Sequence, residues 1–241
     1  MPTSRSQVKI YHSRFHLAAT IFFIVAPFVF LLAFSGLTEV ATDVLFGDLF
    51  VSFIRLLIAY SVAVVLAWIL AVSFYRGKRS VIALPLFDVL QSFPTFATLP
   101  LAVYFWGASN FTVVFFLILT VIWPMLFSII SSLRLIKRDW QEAVEISGIS
   151  GRTYMKKFIF PISVPGLITG SLIGLGEGWE ALIATEIVVN EKIGLGSFFQ
   201  TYSSNPKITF LGILGFLILI FSINKLIWTP LLDWSHGKLE D

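Results

Sequence analysis

Six stretches of about twenty predominantly apolar residues take up most of this chain, each long enough to cross a bilayer as a helix. They cover residues 17–36, 52–74, 81–106, 111–133, 158–182 and 208–232. Pro27 lies in the first and Pro124 in the fourth. Pro85, Pro94 and Pro100 interrupt the third, and the fifth is rich in glycine. Inside lipid every backbone N–H and C=O needs a partner within its own segment, so these stretches are predicted to be helices and not open strands. Composition agrees. Of the residues, 57% are hydrophobic and 13% charged, with a mean hydropathy of +0.89. A soluble domain carries about a quarter charged residues, and the 25 Phe and 7 Trp here leave too little polar surface to cover a globule in water. The expected fold class is an all-α integral membrane protein with six transmembrane helices. The chain has no cysteine, which excludes disulfides, thiol catalysis and cysteine-ligated metal.

The net charge of +3 matters less than where the charges fall. Arg5, Lys9 and Arg14 precede the first stretch. Arg76, Lys78 and Arg79 follow the second. Arg134, Lys137, Arg138, Arg152, Lys156 and Lys157 lie between the fourth and fifth. The intervening connections carry Glu39, Asp43 and Asp48, then no charge near 107–110, then Glu186, Glu191 and Lys192. Basic clusters on every second connection follow the positive-inside rule, which predicts that both termini and the 134–157 connection are cytoplasmic. The run after Arg14 is too long for a signal-peptide core and lacks a small-residue cleavage site, so it is expected to be a retained first helix. Residues 39–50 mix acids with Val40, Val44, Leu45, Leu49 and Phe50; they form either an interfacial amphipathic helix or a plain loop. Gly194–Leu195–Gly196 predicts a turn, with a short helix over 197–202.

Enzymatic signatures are missing. No GxxxxGK[ST] phosphate loop occurs; in the nearest string, Gly77–Lys78–Arg79–Ser80, Val72 stands at the first glycine position and Arg79 at the Ser/Thr position. His12, His16 and His236 sit near the termini without carboxylate partners at ligand spacing, and there is no HExxH zinc signature, so no metal site is expected. The polar residues inside the apolar stretches carry more interest. Glu177 and Glu180 share a helix face near the predicted outer end of the fifth stretch, and either line a wet path or sit at the rim. Gln91, Ser92, Thr95 and Thr98 cluster among the prolines of the third stretch. Broken helices with polar groups often line transport paths, and a kinked packing helix with back-bonded hydroxyls is the alternative. Arg55 is read as an anchor snorkelling to the headgroups. Gly166, Gly170, Gly174 and Gly178 form a small-xxx-small ladder suited to close helix contact, within the chain or across a dimer.

The 142–161 stretch, EAVEISGISGRTYMKKFIFP, is a polar island between apolar flanks. Asp139 and Glu142 have capping-box spacing, which predicts a helix from Asp139, ended by Gly148; a second helix is expected from about Thr153. Glu142–Ala143–Val144, then Gly148, then Phe158–Ile159–Phe160–Pro161 at their intervals resemble the EAA loop of ABC importer permeases, with Val144, Phe158 and Phe160 replacing the usual Ala, Ile and Leu. Ser52-x-x-Arg55, Phe93–Pro94, Leu99–Pro100–Leu101, Trp106–Gly107, Glu186 and Gly194–Leu195–Gly196 resemble the nitrate/sulfonate/taurine branch, although Ala59 stands where that branch tends to have Gly.

The resemblance implies a type I ABC importer transmembrane domain in the prokaryotic inner membrane. Its parts would be a cytoplasmic segment 1–16, a first helix 17–36, a permease core 52–232 with a coupling loop 139–157, and a cytoplasmic tail 233–241. It implies a second permease subunit, two cytoplasmic ATPase subunits carrying ATP and Mg, an extracytoplasmic solute-binding protein and surrounding lipid as partners, with no nucleic acid and no catalysis by this chain. Glu142, Ala143, Glu145, Gly148, Arg152, Lys156 and Pro161 are then the expected ATPase-coupling residues. Gln91, Ser92, Thr95, Glu177 and Glu180 are the candidates for the solute path. The solute would be a small anion or organic molecule of the nitrate/sulfonate/taurine class. A secondary carrier, which needs ionisable groups deep in the membrane, and the membrane subunit of an energy-coupling vitamin transporter are the rivals.

Overall fold

The computed structural model describes the backbone of residues 4–240 and the side chains of residues 20–235. The side chains of Arg5, Lys9, Arg14, His12, His16 and His236 lie outside the described residues, as does most of the 233–241 tail. Among the described residues every regular element is helical. They are α1 (Ser4–Thr38), α2 (Thr42–Phe74), α3 (Lys78–Gln91), α4 (Thr95–Trp106), α5 (Asn110–Arg134), α6 (Arg138–Ile146), α7 (Gly151–Tyr154), α8 (Phe160–Val189), α9 (Leu195–Thr201), α10 (Pro206–Ile223) and α11 (Thr229–Glu240). A π-helical turn over Met155–Ile159 joins α7 to α8, and another over Asn224–Trp228 joins α10 to α11.

Five helical rods are long and apolar enough to span a membrane: Thr20–Thr38, Thr42–Phe74, Asn110–Arg134, Gly151–Val189 and Pro206–Ser235. The sixth expected span is a bent pair, α3 and α4 meeting at 78°. Of its three prolines only Pro94 breaks the helix, because it offers no N–H and forces Phe93 out of helical geometry; Pro85 and Pro100 are carried inside α3 and α4. Of residues 39–50, only 39–41 form a short connection, and the rest are not a separate interfacial helix. From Thr42 they extend α2 upstream in phase, so that Asp48, Ser52, Arg55, Ala59, Ala63, Ala67 and Ala71 form one buried stripe. The fifth span is also longer than 158–182. It runs unbroken from Gly151 to Val189 and stops where Asn190 turns left-handed, at φ 59°.

Helix α5 is the centre of the bundle, clasped between α2 and α8, with Val113, Leu117, Val121, Met125 and Ile129 fully buried. Both neighbours present small residues to it. From α2 comes the alanine stripe, and from α8 the glycine ladder. A Cβ on Gly170 would stand 2.6 Å from the Met125 Cα and 2.9 Å from the Pro124 carbonyl oxygen. One on Gly174 would meet the Val121 carbonyl oxygen at 3.1 Å, one on Gly178 the Val121 and Leu56 side chains at 2.9 Å, and one on Gly166 would collide with the Ser128 carbonyl oxygen. The ladder therefore faces this chain's own α5, and the backbones approach as closely as missing side chains allow. Helix α1 stands at the periphery against α10, where buried Phe34 meets Phe198 of α9.

Candidate functional site

The basic end of the bundle presents a helix that the rest of the chain does not bury. Helix α6 has no buried residue and makes no extended packing with another helix. Its start differs from the expected capping box. Lys137 is the cap and gives no side-chain bond, while Asp139 sits in the first turn, where a carboxylate complements the helix dipole. Glu142 pairs with Arg138, Nε to Oε1 at 2.8 Å, on the exposed face. Ala143 and Glu145 are exposed, and Ile146 is 87% exposed despite being apolar. Gly148, at φ +71°, ends the helix, and Gly151, at φ +56°, starts α7 two residues before the expected Thr153. These two left-handed glycines turn the chain from α6 back toward the membrane without the strain a side chain would bring. Arg152, Lys156 and Lys157 follow, all exposed, and Pro161 opens α8.

The base of this loop is tied to the bundle. Arg134 at the end of α5 donates to the Tyr75 carbonyl at 3.4 Å and the Ser80 hydroxyl at 3.3 Å, and Arg76 donates to the Tyr154 hydroxyl at 3.5 Å. Burial, with a contribution from the neighbouring Tyr154 hydroxyl, pushes the Tyr75 phenol up to about 12.

The break between α3 and α4 opens a cavity of about 520 Å³. Gln91, Phe93, Pro94, Thr95 and Phe96 line one side, Thr120, Trp123 and Pro124 of α5 the back, and Glu177 of α8 the remaining wall. It thus brings together Gln91, Thr95 and Glu177 from the sequence candidates. Ser92 is exposed beside it and bonds back to the Asp88 carbonyl at 2.9 Å, and Glu180 is exposed outside the lining. Thr98 bonds back to the Thr95 carbonyl at 2.8 Å. About 18 Å of helix separates Glu177 from the end of α8 at Val189. Glu177 therefore stands well inside α8 and lines the same cavity as Thr120 and Pro124 of α5.

At the opposite end lies a buried network whose main member the sequence misread. Arg55 does not snorkel to headgroups; it is 5% exposed and turned inward. Its Nη1 donates to Glu186 Oε1 at 2.6 Å and to the Ile193 carbonyl at 2.9 Å, its Nη2 to Glu191 at 3.0 Å, and its Nε to Asn110 at 2.7 Å. Glu186, fully buried, also accepts from the Ser52 hydroxyl and from the Gly196 N–H at 2.9 Å. The Gly194 N–H reaches Asp48 at 2.8 Å, and the Leu195 N–H reaches Ser52 at 2.8 Å. A Cβ on either Gly194 or Gly196 would strike the Glu186 side chain, which is why glycines flank Leu195. The network staples the α8–α9 connection to α2 and to the start of α5. Its sequence signal was present: Asp48, Ser52 and Arg55 share the face of the alanine stripe, and a polar group on a packed face is a buried group.

Comparison with known proteins draws these features together. The nitrate import permease protein NrtB of Synechocystis is 28% identical over 179 residues, covering 71% of this chain and 65% of that protein. The bicarbonate transport system permease protein CmpB of Synechococcus elongatus is 28% identical over 141 residues, covering 56% of this chain and 51% of that protein. NrtB of Leptolyngbya laminosa is 28% identical over 141 residues, 56% of this chain and 50% of that protein. The chain thus spans between about half and two-thirds of the length of these relatives. The profile of one family matches residues 63–228, from the alanine stripe of α2 through α5, the exposed α6 and the glycine ladder to the π-turn after α10. This multi-pass helical chain belongs to the family of binding-protein-dependent transport system inner membrane components.

Proposed function

We propose that this chain is the transmembrane permease subunit of an ATP-driven importer, forming half of a solute path and coupling through α6 to a cytoplasmic ATPase. The observation that carries the proposal is α6 itself: an amphipathic helix with exposed Ile146 and Trp140, unburied by its own chain and followed at the basic end by two left-handed glycines, Gly148 and Gly151. An apolar face of this kind fits a groove on a partner protein. In the proposed cycle, ATP closes a pair of ATPase subunits, the two α6 helices move with them, and a pair of permeases rocks between inward- and outward-facing states. Glu142 and Ala143 seat in the ATPase groove, Glu145, Arg152 and Lys156 supply charged contacts, and Gly148 allows the close turn. Pro161 fixes where the loop re-enters the span. A binding protein delivers solute at the end that carries the Arg55–Glu186 network, and both termini are cytoplasmic. The solute is a small anion or organic molecule of the nitrate/sulfonate/taurine class, and the names of the relatives, which are nitrate and bicarbonate permeases, support the small-anion part of that reading.

The test is Gly148→Asp. At φ +71° any side chain is strained, so the variant is expected to insert and pair with its permease partner while losing solute-stimulated ATPase activity. Normal stimulation with normal uptake refutes the role given to α6. One observation favours a secondary carrier: Glu177 lies inside the span and faces a cavity. Proton- or sodium-driven uptake by this chain alone in proteoliposomes supports the carrier. Co-elution of two ATPase subunits in mild detergent, with uptake that requires ATP, supports the permease.

A further inference from the structure

Resting on the permease reading, we propose that the cavity at the α3–α4 break is a cation-accepting subsite of the solute path. In it Glu177 selects a solute that carries a protonated amine or other cationic group over a bare inorganic anion. The lining contains one ionisable side chain, Glu177, and no Lys, Arg or His. Its carboxylate makes no hydrogen bond or ion pair among the described residues, and it is exposed to the cavity side of α8. A second carboxylate, Glu180, follows one turn later on the same helix, also exposed. A small inorganic anion entering this space would meet repulsion from Glu177 with no guanidinium or ammonium to offset it. A cation would meet the carboxylate, the Trp123 side chain and the oxygens of Gln91, Thr95 and Thr120. The volume of about 520 Å³ is within the range of small organic ligands and far larger than a three- or four-atom oxyanion requires. Within the class named above, the chemistry fits a zwitterion, with its cationic end at Glu177 and its anionic end toward the partner subunit or the open path.

The absence of cysteine from the chain makes the test direct. Gln91→Cys places a single thiol on the cavity wall of the complete complex in membrane vesicles. Its modification rates by a cationic and an anionic methanethiosulfonate of similar size are measured and normalised to a free thiol, so that the reactivity of the thiol itself cancels. The normalised cation-to-anion ratio is expected to be about tenfold, from one nearby unit charge in a partly wet site, and to fall toward one in Glu177→Gln. A ratio near one with Glu177 present, or a ratio unchanged by Glu177→Gln, overturns the proposal; the first outcome remains decisive if the Gln variant does not assemble. Nitrate, presented with the binding protein, is expected not to stimulate the ATPase of the native complex, and stimulation also overturns it. The parent reading has its own readout. Vanadate trapping with ATP should change the Gln91→Cys rate, and no change counts against ATP-driven rocking whatever the charge ratio.

Discussion

Replacing Arg55 with Leu removes the cation from a site where Glu186 has no access to water. Glu186 is 0% exposed and Arg55 5%. After the change the carboxylate keeps only the Ser52 hydroxyl, at 2.8 and 2.9 Å, and the Gly196 N–H. Glu191 also loses its partner, as do the Ile193 carbonyl and Asn110. Breaking a buried ion pair from one side destabilises by about 3–5 kcal/mol, because the remaining charge is left uncompensated. Glu186→Gln alone leaves Arg55 paired with Glu191, Ile193 and Asn110, and retains an acceptor for Gly196, so a loss of about 1–2 kcal/mol is expected. The double variant, with no charge left at 55 or 186, is expected to be more stable than Arg55→Leu alone. That gives a coupling energy of about 2 kcal/mol or more. Reversible unfolding in mixed micelles, followed by tryptophan fluorescence, measures all four corners of the cycle. If Arg55→Leu loses less than about 1 kcal/mol, or the double variant is no more stable than that single one, the network does not staple α8–α9 to α2. Faster proteolysis at 190–195 in Arg55→Leu is the local counterpart.

Two further predictions follow from the same geometry. Gly170→Ala should cost about 1–3 kcal/mol, because its Cβ would stand 2.6 Å from the Met125 Cα, a backbone atom that cannot turn aside. Gly176→Ala, with nothing within 4 Å, should cost little, and equal losses at the two positions would contradict the packing direction assigned to the ladder. Tyr75 favours its neutral form in the folded state, so its contribution is present below its ordinary value of 10 and is lost as pH rises through about 12. Tyr75→Phe should flatten stability against pH in that window, and an unchanged alkaline slope contradicts the burial of the phenol.

The spans, the exposed loop and its turn glycine were legible because each depends on local chemistry. Apolar runs partition into lipid whatever lies beside them, and a polar stretch with Gly148 in it cannot continue a span. Other features were not legible for the opposite reason. Pro85, Pro94 and Pro100 look alike in the sequence, yet only Pro94 breaks its helix. Residues 39–50 read as an interfacial helix or a plain loop because Asp43 and Asp48 are acids, but Asp48 meets the Gly194 N–H from 146 positions along the chain. Whether Glu177 lines a path or sits at the rim stayed open in the sequence, because the end of its helix was placed too early; Asn190 sets that end by turning left-handed.

The sequence by itself determined that this is a membrane-embedded helical protein, with a charged helix between its fourth and fifth spans and glycines where chains must come close. Hydrophobicity, charge and backbone freedom are properties a residue carries with it. The tertiary structure alone decided which partner each property meets. The glycine ladder closes on this chain's own α5, the break at Pro94 opens a cavity toward Glu177, and Arg55 turns inward to a carboxylate 131 positions away. Whether an arginine seeks the headgroups or a buried partner depends on what the neighbouring helix presents, and that is settled only when the helices pack.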